Sequence, residues 1–108
     1  MIARTWSGRT QRENADAYLQ VVRETGLTDI LQTKGNRGAL LLRREDGSEA
    51  EFLLVSLWDS FDSIRAFAGP DVEKARYYPE DVSYLLEKAE KVMHYDVVHG
   101  IRPEQCMP

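Results

Sequence analysis

Two ionisable side chains near the C-terminal end of the chain have the types and spacing of a general base and its orienting partner. His94 and Asp96 are two residues apart in an apolar segment, and residues i and i+2 of a β-strand point to the same face. A carboxylate beside an imidazole can orient the ring or raise its pKa, which would make His94 a base near neutral pH. The alternative is a half-exposed pair that faces solvent or a subunit seam.

Aromatic and basic side chains elsewhere could complete a site for a flat organic molecule. Tyr77 and Tyr78 follow the second predicted helix and could present phenol hydroxyls to a pocket between helices and sheet. Trp58 could wall an aromatic ligand, and Arg4, on the strand face of Trp6, could bind a carboxylate or phenolate. Each has a structural alternative: ring packing for the tyrosines, core packing for the tryptophan and a cross-strand ion pair for the arginine.

Metal and phosphate chemistry have no comparable pattern in the sequence. His94 and His99 are five residues apart on an extended segment, so their side chains should point to opposite faces. Cys106 is the single cysteine, which leaves no internal disulfide and no thiolate cluster. Residues 34–38 contain glycines and basic residues without the spacing of a phosphate-binding loop. We therefore expect no metal ligands and no bound cofactor.

Composition indicates one globular domain of ordinary polarity. The 108 residues include 14 basic and 18 acidic side chains, for a net charge of −4, and no run of lysine or arginine could follow a phosphate backbone. The longest apolar runs, residues 39–42 and 52–55, are far too short to cross a bilayer. We expect no nucleic-acid partner, no membrane partner and a cytoplasmic location.

The predicted elements follow the order strand, helix, strand, strand, helix, strand. The first strand covers residues 1–9, and the capping-box spacing of Thr10 and Glu13 predicts a helix that starts there and ends at Gly26. The later elements are a hairpin, a second helix that starts from candidate N-caps in residues 59–63 and ends at residues 69–70, short helical turns, and a last strand over residues 92–98.

The central hairpin is apolar on both faces, unlike an antiparallel sheet with one solvated face. Asp46-Gly47 supplies its positive-φ turn. In the first strand Leu40 and Leu42 point one way and Ala39 and Leu41 the other. In the second strand Phe52, Leu54 and Trp58 oppose Leu53, Val55 and Leu57. The predicted helices can cover only one face. We therefore expect a second copy of the chain to cover the other.

This order of elements is that of a ferredoxin-like βαββαβ fold of the α+β class, a four-stranded antiparallel sheet with helices on one face. We assign residues 1–98 to this domain and residues 99–108 to a C-terminal tail or arm. Burial of each large apolar side chain on the uncovered face would contribute about 1.5–3 kcal/mol. A symmetric homodimer is the expected assembly.

The chain resembles the antibiotic biosynthesis monooxygenase family over residues 1–98. The resemblance lies in the element order, in Leu57-Trp58-Asp59-Ser60 before the second helix, and in His94-Tyr95-Asp96-Val97-Val98 near the end. It implies a dimeric α+β barrel that oxidises a small aromatic or polyketide-like compound with molecular oxygen and no bound metal or flavin. The implied roles are His94 as base oriented by Asp96, Tyr77 or Tyr78 as hydrogen-bond donor, Arg4 as anion-binding group and Trp58 as stacking group.

Haem-degrading members of that family resemble this chain around Trp58, but they use an Asn in the first strand, a Trp in the second helix and an iron-ligating His after it. Phe67 stands at the Trp position and Tyr77 at the His position, and the first strand has no Asn. We therefore expect Phe67 to contact substrate and rank haem degradation below oxidation of a phenol. Two further functions stay open: a non-catalytic small-ligand-binding or interaction module, and an isomerase or lactone-handling enzyme.

Overall fold

Four antiparallel strands form one sheet in the computed structural model, which describes residues 1–100. The strands are β1 (Ile2–Gln11), β2 (Asn36–Asp46), β3 (Glu49–Trp58) and β4 (Met93–Asp96). Across the sheet they lie in the order β2-β3-β1-β4. The predicted α+β architecture, with a four-stranded antiparallel sheet, is confirmed.

Helices cover one face of this sheet. The α-helices are α1 (Ala15–Glu24), α2 (Gly26–Gln32) and α3 (Phe61–Ala68), and two short 3₁₀ helices span Arg12–Asn14 and Pro79–Ser83. The segment from residue 70 to residue 92, which we call the strap, joins α3 to β4. Apart from its 3₁₀ helix, the regular structure of the strap is an isolated β-bridge between Lys74 and Lys91.

The first helix starts later than its capping-box spacing predicts. Thr10 belongs to β1, where it pairs with Ala50 and is fully buried. Its hydroxyl donates to the Gln11 carbonyl at 2.9 Å and caps no helix. The α-helical hydrogen bonds begin only at Ala15. Sheet pairing and burial of the threonine therefore override the local capping signal, as tertiary contacts often override propensity.

Gly26 does not end the helical region either, contrary to the prediction. The helix is interrupted at Thr25, whose hydroxyl donates to the Val21 carbonyl at 2.7 Å, and α2 begins at Gly26. A threonine hydroxyl that bonds back to the preceding turn commonly bends a helix. The break turns α2 so that Ile30 reaches the sheet, where it is buried.

The turn and the start of the second predicted helix follow their sequence signals. Gly47 has φ of 63°, in the left-handed region that a tight hairpin requires. The Ser60 hydroxyl accepts from the Ser63 backbone N–H at 3.2 Å, and Gly69, with φ of 98°, follows the last residue of α3. The last strand, by contrast, is shorter than residues 92–98.

Alternate residues of β1 and β3 point toward the helices and form the core. One cluster lies under α2 and α3, and the other lies under α1. The first contains Ile2, Ile30, Leu54, Trp58, Ile64 and Phe67, and the second contains Ala15, Tyr18, Val22, Ala50 and Phe52. The apolar side chains of all three helices are therefore buried against this face of the sheet.

The opposite face of the sheet, which we call the open face, is apolar and uncovered in the single chain. Leu40, Leu42 and Leu53 keep 45%, 46% and 37% of their surface exposed, and Met93 and Tyr95 of β4 are exposed as well. Leu42 lies opposite Leu53 in the hairpin register. The predicted two-faced hairpin is therefore present, and coverage of the open face by a second copy stays a prediction.

The described residues contain no helix long and apolar enough to cross a membrane. The tail assigned to residues 99–108 falls almost wholly outside the described part of the chain, as does Cys106.

Replacement of Ile64 tests the position of the core. The side chain has no exposed surface, so Ile64→Ala should lower the free energy of unfolding by about 2–5 kcal/mol. The neighbouring Arg65→Ala removes an exposed side chain paired with Asp62 and should change it by less than about 0.5 kcal/mol. Urea unfolding at one fixed protein concentration measures both, and equal losses would contradict this placement of α3.

Candidate functional site

A small cavity lies between the sheet, the first two helices and the strap. Its volume is about 50 Å³, which is far below the roughly 300–1,000 Å³ of most ligand pockets. Four of the predicted site residues line it, namely Arg4, Phe67, Tyr77 and Tyr78. The structure thus brings together an arginine and two tyrosines that are more than seventy residues apart in the chain.

Arg4 is the charged group at the centre of this region. Only 4% of its surface is exposed. The guanidinium donates to the carbonyls of Val72 at 2.5 Å and Lys74 at 2.9 Å, and its Nη1 lies 3.0 Å from Nε2 of His94. Within residues 1–100 it forms no ion pair. Burial lowers the pKa of Arg4 to about 10, so the group remains a cation at neutral pH.

His94 lies beside Arg4 because the two residues are paired in the β1–β4 register. An arginine can only donate, so Nε2 of the imidazole accepts and the proton of the neutral ring is assigned to Nδ1. The pKa of His94 is lowered by burial first and by the charge of Arg4 second, while Glu73 opposes the shift. The imidazole is therefore neutral at pH 7, with one lone pair engaged by the guanidinium.

The expected contact between His94 and Asp96 is not formed. Asp96 lies at the end of β4, opposite Ile2, and is exposed. Side chains two residues apart on a strand are separated by roughly 6.6 Å of backbone rise, so a shared face does not ensure contact. The orienting partner of His94 in the structure is Arg4, which replaces the predicted carboxylate.

The two predicted tyrosines are hydrogen-bonded neutral phenols. Tyr77 donates to the Ala89 carbonyl at 2.6 Å and accepts from Nε1 of Trp6 at 3.2 Å, whereas Tyr78 donates to Asp29 at 2.6 Å. Burial raises the pKa of Tyr77 and of Tyr78, and the Asp29 carboxylate raises that of Tyr78 further. Neither phenol is poised to ionise near neutral pH.

The structure places Trp58, the expected stacking group, in the core. Its ring is fully buried, its Nε1 donates to the Ser56 hydroxyl at 2.8 Å, and it stacks on Phe67 with ring centroids 5.9 Å apart. The cavity is lined by Phe67 and not by Trp58. The tryptophan supports the cavity wall from behind, which is the core-packing alternative.

Trp6, Tyr18 and Asp81 are among the cavity-lining residues that were not predicted from the sequence. Asp81 is buried and accepts from the Tyr18 hydroxyl at 3.0 Å and from the Tyr78 backbone N–H at 2.8 Å. The ring of Trp6 lies against Gly8, where an added Cβ would stand 2.5 Å from it. The alternation of Arg4, Trp6 and glycine on one strand face was the available signal, but no local pattern pairs Tyr18 with Asp81.

A larger surface groove lies on the other side of the Arg4–His94 pair. It has a volume of about 420 Å³ and is lined by Phe61, Arg65, Val72, Glu73, Val92, Met93 and His94. Phe61 meets the imidazole edge-on, with ring centroids 5.3 Å apart. Val92 lines both the groove and the cavity, so the two spaces are neighbours. Across residues 1–100, no group of three His, Cys, Asp or Glu side chains is arranged to hold a metal ion.

Solved structures share this fold. MhuD, a haem degrader from Mycobacterium tuberculosis with two haems in its active site, is 20% identical with a TM-score of 0.57, over 94% of this chain and 100% of that one. A MhuD point mutant with two manganese protoporphyrin IX molecules per active site is 18% identical with a TM-score of 0.59, over 94% and 99%. An uncharacterised NIPSNAP domain protein from Burkholderia xenovorans is 17% identical with a TM-score of 0.56, over 94% and 99%.

At these identities the likeness establishes the ferredoxin-like α+β fold and leaves the ligand open. No protein-family model and no curated protein matches the chain.

The pKa of His94 provides a direct test of the site's electrostatics. The folded state disfavours the imidazolium, so an NMR titration of His94 should give a midpoint below the usual 6.5. Glu73→Gln removes the group that opposes the shift and should lower the midpoint further, whereas Glu80→Gln, at an exposed strap residue, should not.

The lowered pKa of His94 also predicts how the stability of the folded chain depends on pH. Because the unfolded chain binds the proton more tightly, the contribution of neutral His94 is complete above about pH 7 and is lost as pH falls through 6.5 toward the folded-state pKa. His94→Gln should reduce this loss in urea unfolding measured at several pH values. A midpoint at or above 6.5 would contradict the Arg4–His94 contact.

Proposed function

We propose that the chain binds a small anionic aromatic compound at Arg4 and promotes its oxidation by molecular oxygen without a bound cofactor. The observation that carries the proposal is a buried guanidinium beside a cavity, with no carboxylate partner within residues 1–100. A buried cation that meets only neutral acceptors is a strong site for a carboxylate or phenolate. The surrounding aromatic rings, Trp6, Phe67 and Tyr77, suit a flat ligand.

In this chemistry the substrate's own phenolate reduces oxygen, and the protein stabilises the phenolate and excludes water. Arg4 would lower the pKa of the bound phenol, whose proton leaves to solvent. For an anthrone-type substrate, a methylene carbon becomes a carbonyl: one oxygen atom of O₂ is inserted, and the two displaced hydrogens leave with the other oxygen atom as water. Four electrons pass from substrate to oxygen, so no external reductant is needed.

The geometry changes the role proposed for His94. Its Nε2 is occupied by Arg4, so the imidazole holds the guanidinium in place and is not free to take the substrate proton in this arrangement. His94 therefore acts as a positioning residue. Asp96 has no role in this proposal, because it does not reach the imidazole.

Haem fits the described residues poorly. Tyr77 is the residue that would stand at the iron-ligand position, but its raised pKa and its bond to the Ala89 carbonyl keep it a neutral phenol, whereas tyrosine binds haem iron as tyrosinate. His94 lines the outer groove and not the cavity. We derive no step through haem for this chain.

The second candidate is a ligand-binding module without catalysis. It is favoured by the absence of a free base on the described cavity wall: the phenols are protonated, the Asp81 carboxylate accepts from Tyr18 and from the Tyr78 backbone N–H, and the one nearby imidazole is engaged. The same observation disfavours an isomerase, which needs such a base. Oxygen uptake separates the two candidates, because a binding module would hold the same anions without consuming oxygen.

Oxygen consumption with a panel of hydroquinones and anthrones tests the oxidation. Arg4→Lys keeps the charge but not the fork of donors and should lower the rate by about 10–100-fold, while the exposed Arg44→Lys should leave it unchanged. Far-ultraviolet circular dichroism checks that each variant is folded. No consumption above a protein-free control would remove the catalytic proposal.

Replacement of His94 separates positioning from base catalysis. The amide oxygen of His94→Gln can still accept from Arg4, whereas His94→Ala cannot, so a positioning role predicts that Gln retains most of the activity and Ala loses about tenfold or more. The pH–rate profile of the Gln variant should lack any step due to this imidazole. Equal loss in both variants would favour the base.

We also propose that two copies associate through the open face. Its leucines keep 37–46% of their surface exposed in the single chain, and covering that remainder would contribute about 0.5–1.5 kcal/mol for each. At one end of this face Arg9 is already paired with Asp46 and Glu49 at 2.6 Å and with Glu51 at 3.5 Å. The charges there are satisfied within one chain, which suits the polar rim of an interface.

Sedimentation velocity at tens of micromolar protein tests this assembly. The native chain should sediment as a dimer, and Leu42→Asp should convert it to a monomer, because a carboxylate would be buried without a partner. Leu31→Asp is the matched control, since Leu31 is also exposed but lies on α2, away from the open face. A folded native monomer at this concentration would refute the dimer.

A further inference from the structure

The strap and a bound anion would compete for the same donors on Arg4. We infer that the strap is an autoinhibitory lid: in the ligand-free protein the carbonyls of Val72 and Lys74 occupy Arg4, and an anionic ligand binds by displacing them and opening the strap. This inference rests on the proposed function and adds its regulation.

The small volume of the cavity is the first reason to infer a moving lid. The cavity of about 50 Å³ holds little more than one water molecule, so an aromatic ligand requires one wall to move. The sheet and the helices contribute the buried clusters of the core. The strap, by contrast, has only Asp81 and Val92 buried among its 23 residues, so it is the wall that costs least to displace.

Most of the contacts that hold the strap down are polar, although Val72, Tyr84 and Leu85 also pack against the two core clusters. Besides the two bonds to Arg4, Asp81 accepts from Tyr18, Tyr77 accepts from Trp6, and the Leu86 backbone donates to the Arg9 carbonyl at 2.9 Å. Asp29 of α2 holds two more strap residues, Arg76 at 3.2 Å and Tyr78 at 2.6 Å. The polar contacts can be exchanged for water or ligand one by one, unlike the packing of a buried core.

The chemistry of Arg4 gives the exchange its direction. In the closed state the guanidinium meets neutral carbonyl oxygens, and a carboxylate or phenolate would replace them with charge-assisted, bidentate bonds in a buried site. A ligand shifts such an equilibrium only through its different affinity for the two states. A neutral aromatic compound of the same shape gains no such advantage and should leave the strap closed.

Asp29 allows the strap to be loosened from a residue that does not itself line the cavity, although its two partners, Arg76 and Tyr78, do. Asp29→Ala removes both of its bonds to the strap. When the binding-competent state is scarce, weakening the closed state raises apparent affinity in proportion, and loss of a typical hydrogen bond corresponds to a factor of about five. Asp16→Ala is the matched control, because Asp16 also pairs one arginine, Arg43, but lies on α1 away from the strap.

The experiment measures amide hydrogen exchange in the strap and the affinity for 2-naphthoate, with 2-naphthamide as neutral probe, for the native full-length chain and both variants. Asp29→Ala should raise exchange at Leu86, whose N–H bonds to the Arg9 carbonyl of β1 and is freed when the strap opens, and tighten 2-naphthoate binding about fivefold. Asp16→Ala should do neither. The amide should bind the native chain at least about tenfold more weakly than the acid.

The outcomes separate this inference from the proposed function. Faster exchange in Asp29→Ala with unchanged or weaker 2-naphthoate binding overturns the lid while the anion site stands. Unchanged exchange overturns it as well, because the strap is then held by something else. Equal binding of acid and amide overturns the displacement at Arg4. Failure of all three proteins to bind any probe overturns the proposed function, and the lid with it.

Discussion

A positive charge buried in the sheet must be solvated by the protein, and this constraint organises one side of the molecule. Arg4 points inward from β1 because its neighbours Ile2 and Trp6 are core residues of the same strand face. Its donors then need acceptors that water cannot supply. They find one on β4 and two on the strap. The path of the chain after α3 and the pairing of β4 with β1 both place hydrogen-bond acceptors around this one side chain.

The second constraint acts on the opposite face of the sheet. A sheet whose strands are apolar on both faces must have both faces shielded from water. The helices of one chain shield only one face. The helix-facing layer is packed around Phe52, Trp58 and Ile64, while the open face keeps its leucines at the surface. Because alternate residues of each strand point to opposite faces, the sheet that buries Arg4 on its helix side exposes leucines on its open face, where a partner is expected.

Local signals predicted the parts of the fold that local physics controls. The Asp46-Gly47 turn, the Ser60 cap and the alternation in the hairpin are short-range features, and the structure contains them. Thr10 carries an equally good capping signal, but pairing with Ala50 decides its conformation.

In the candidate site, too, local features were predicted and long-range contacts were not. Arg4, Tyr77 and Tyr78 were identified from residue type and position and Phe67 from the family resemblance, and all four line the cavity. The partner of His94 depends on the register between β1 and β4, and the pairing of Tyr18 with Asp81 depends on how the strap folds back. No single-sequence pattern contains either long-range contact, which is why Asp96 and Trp58 received roles that the structure does not support.

The position of the cavity has a consequence for any pair formed through the open face. Each cavity lies on the helix side of its sheet, so two stacked sheets would stand between the cavities of the two copies. Each strap would point outward, away from the seam. Either copy could then take up and release its ligand without separating from its neighbour, and filling one would have no direct route to influence the other. Such a pair would show simple hyperbolic saturation.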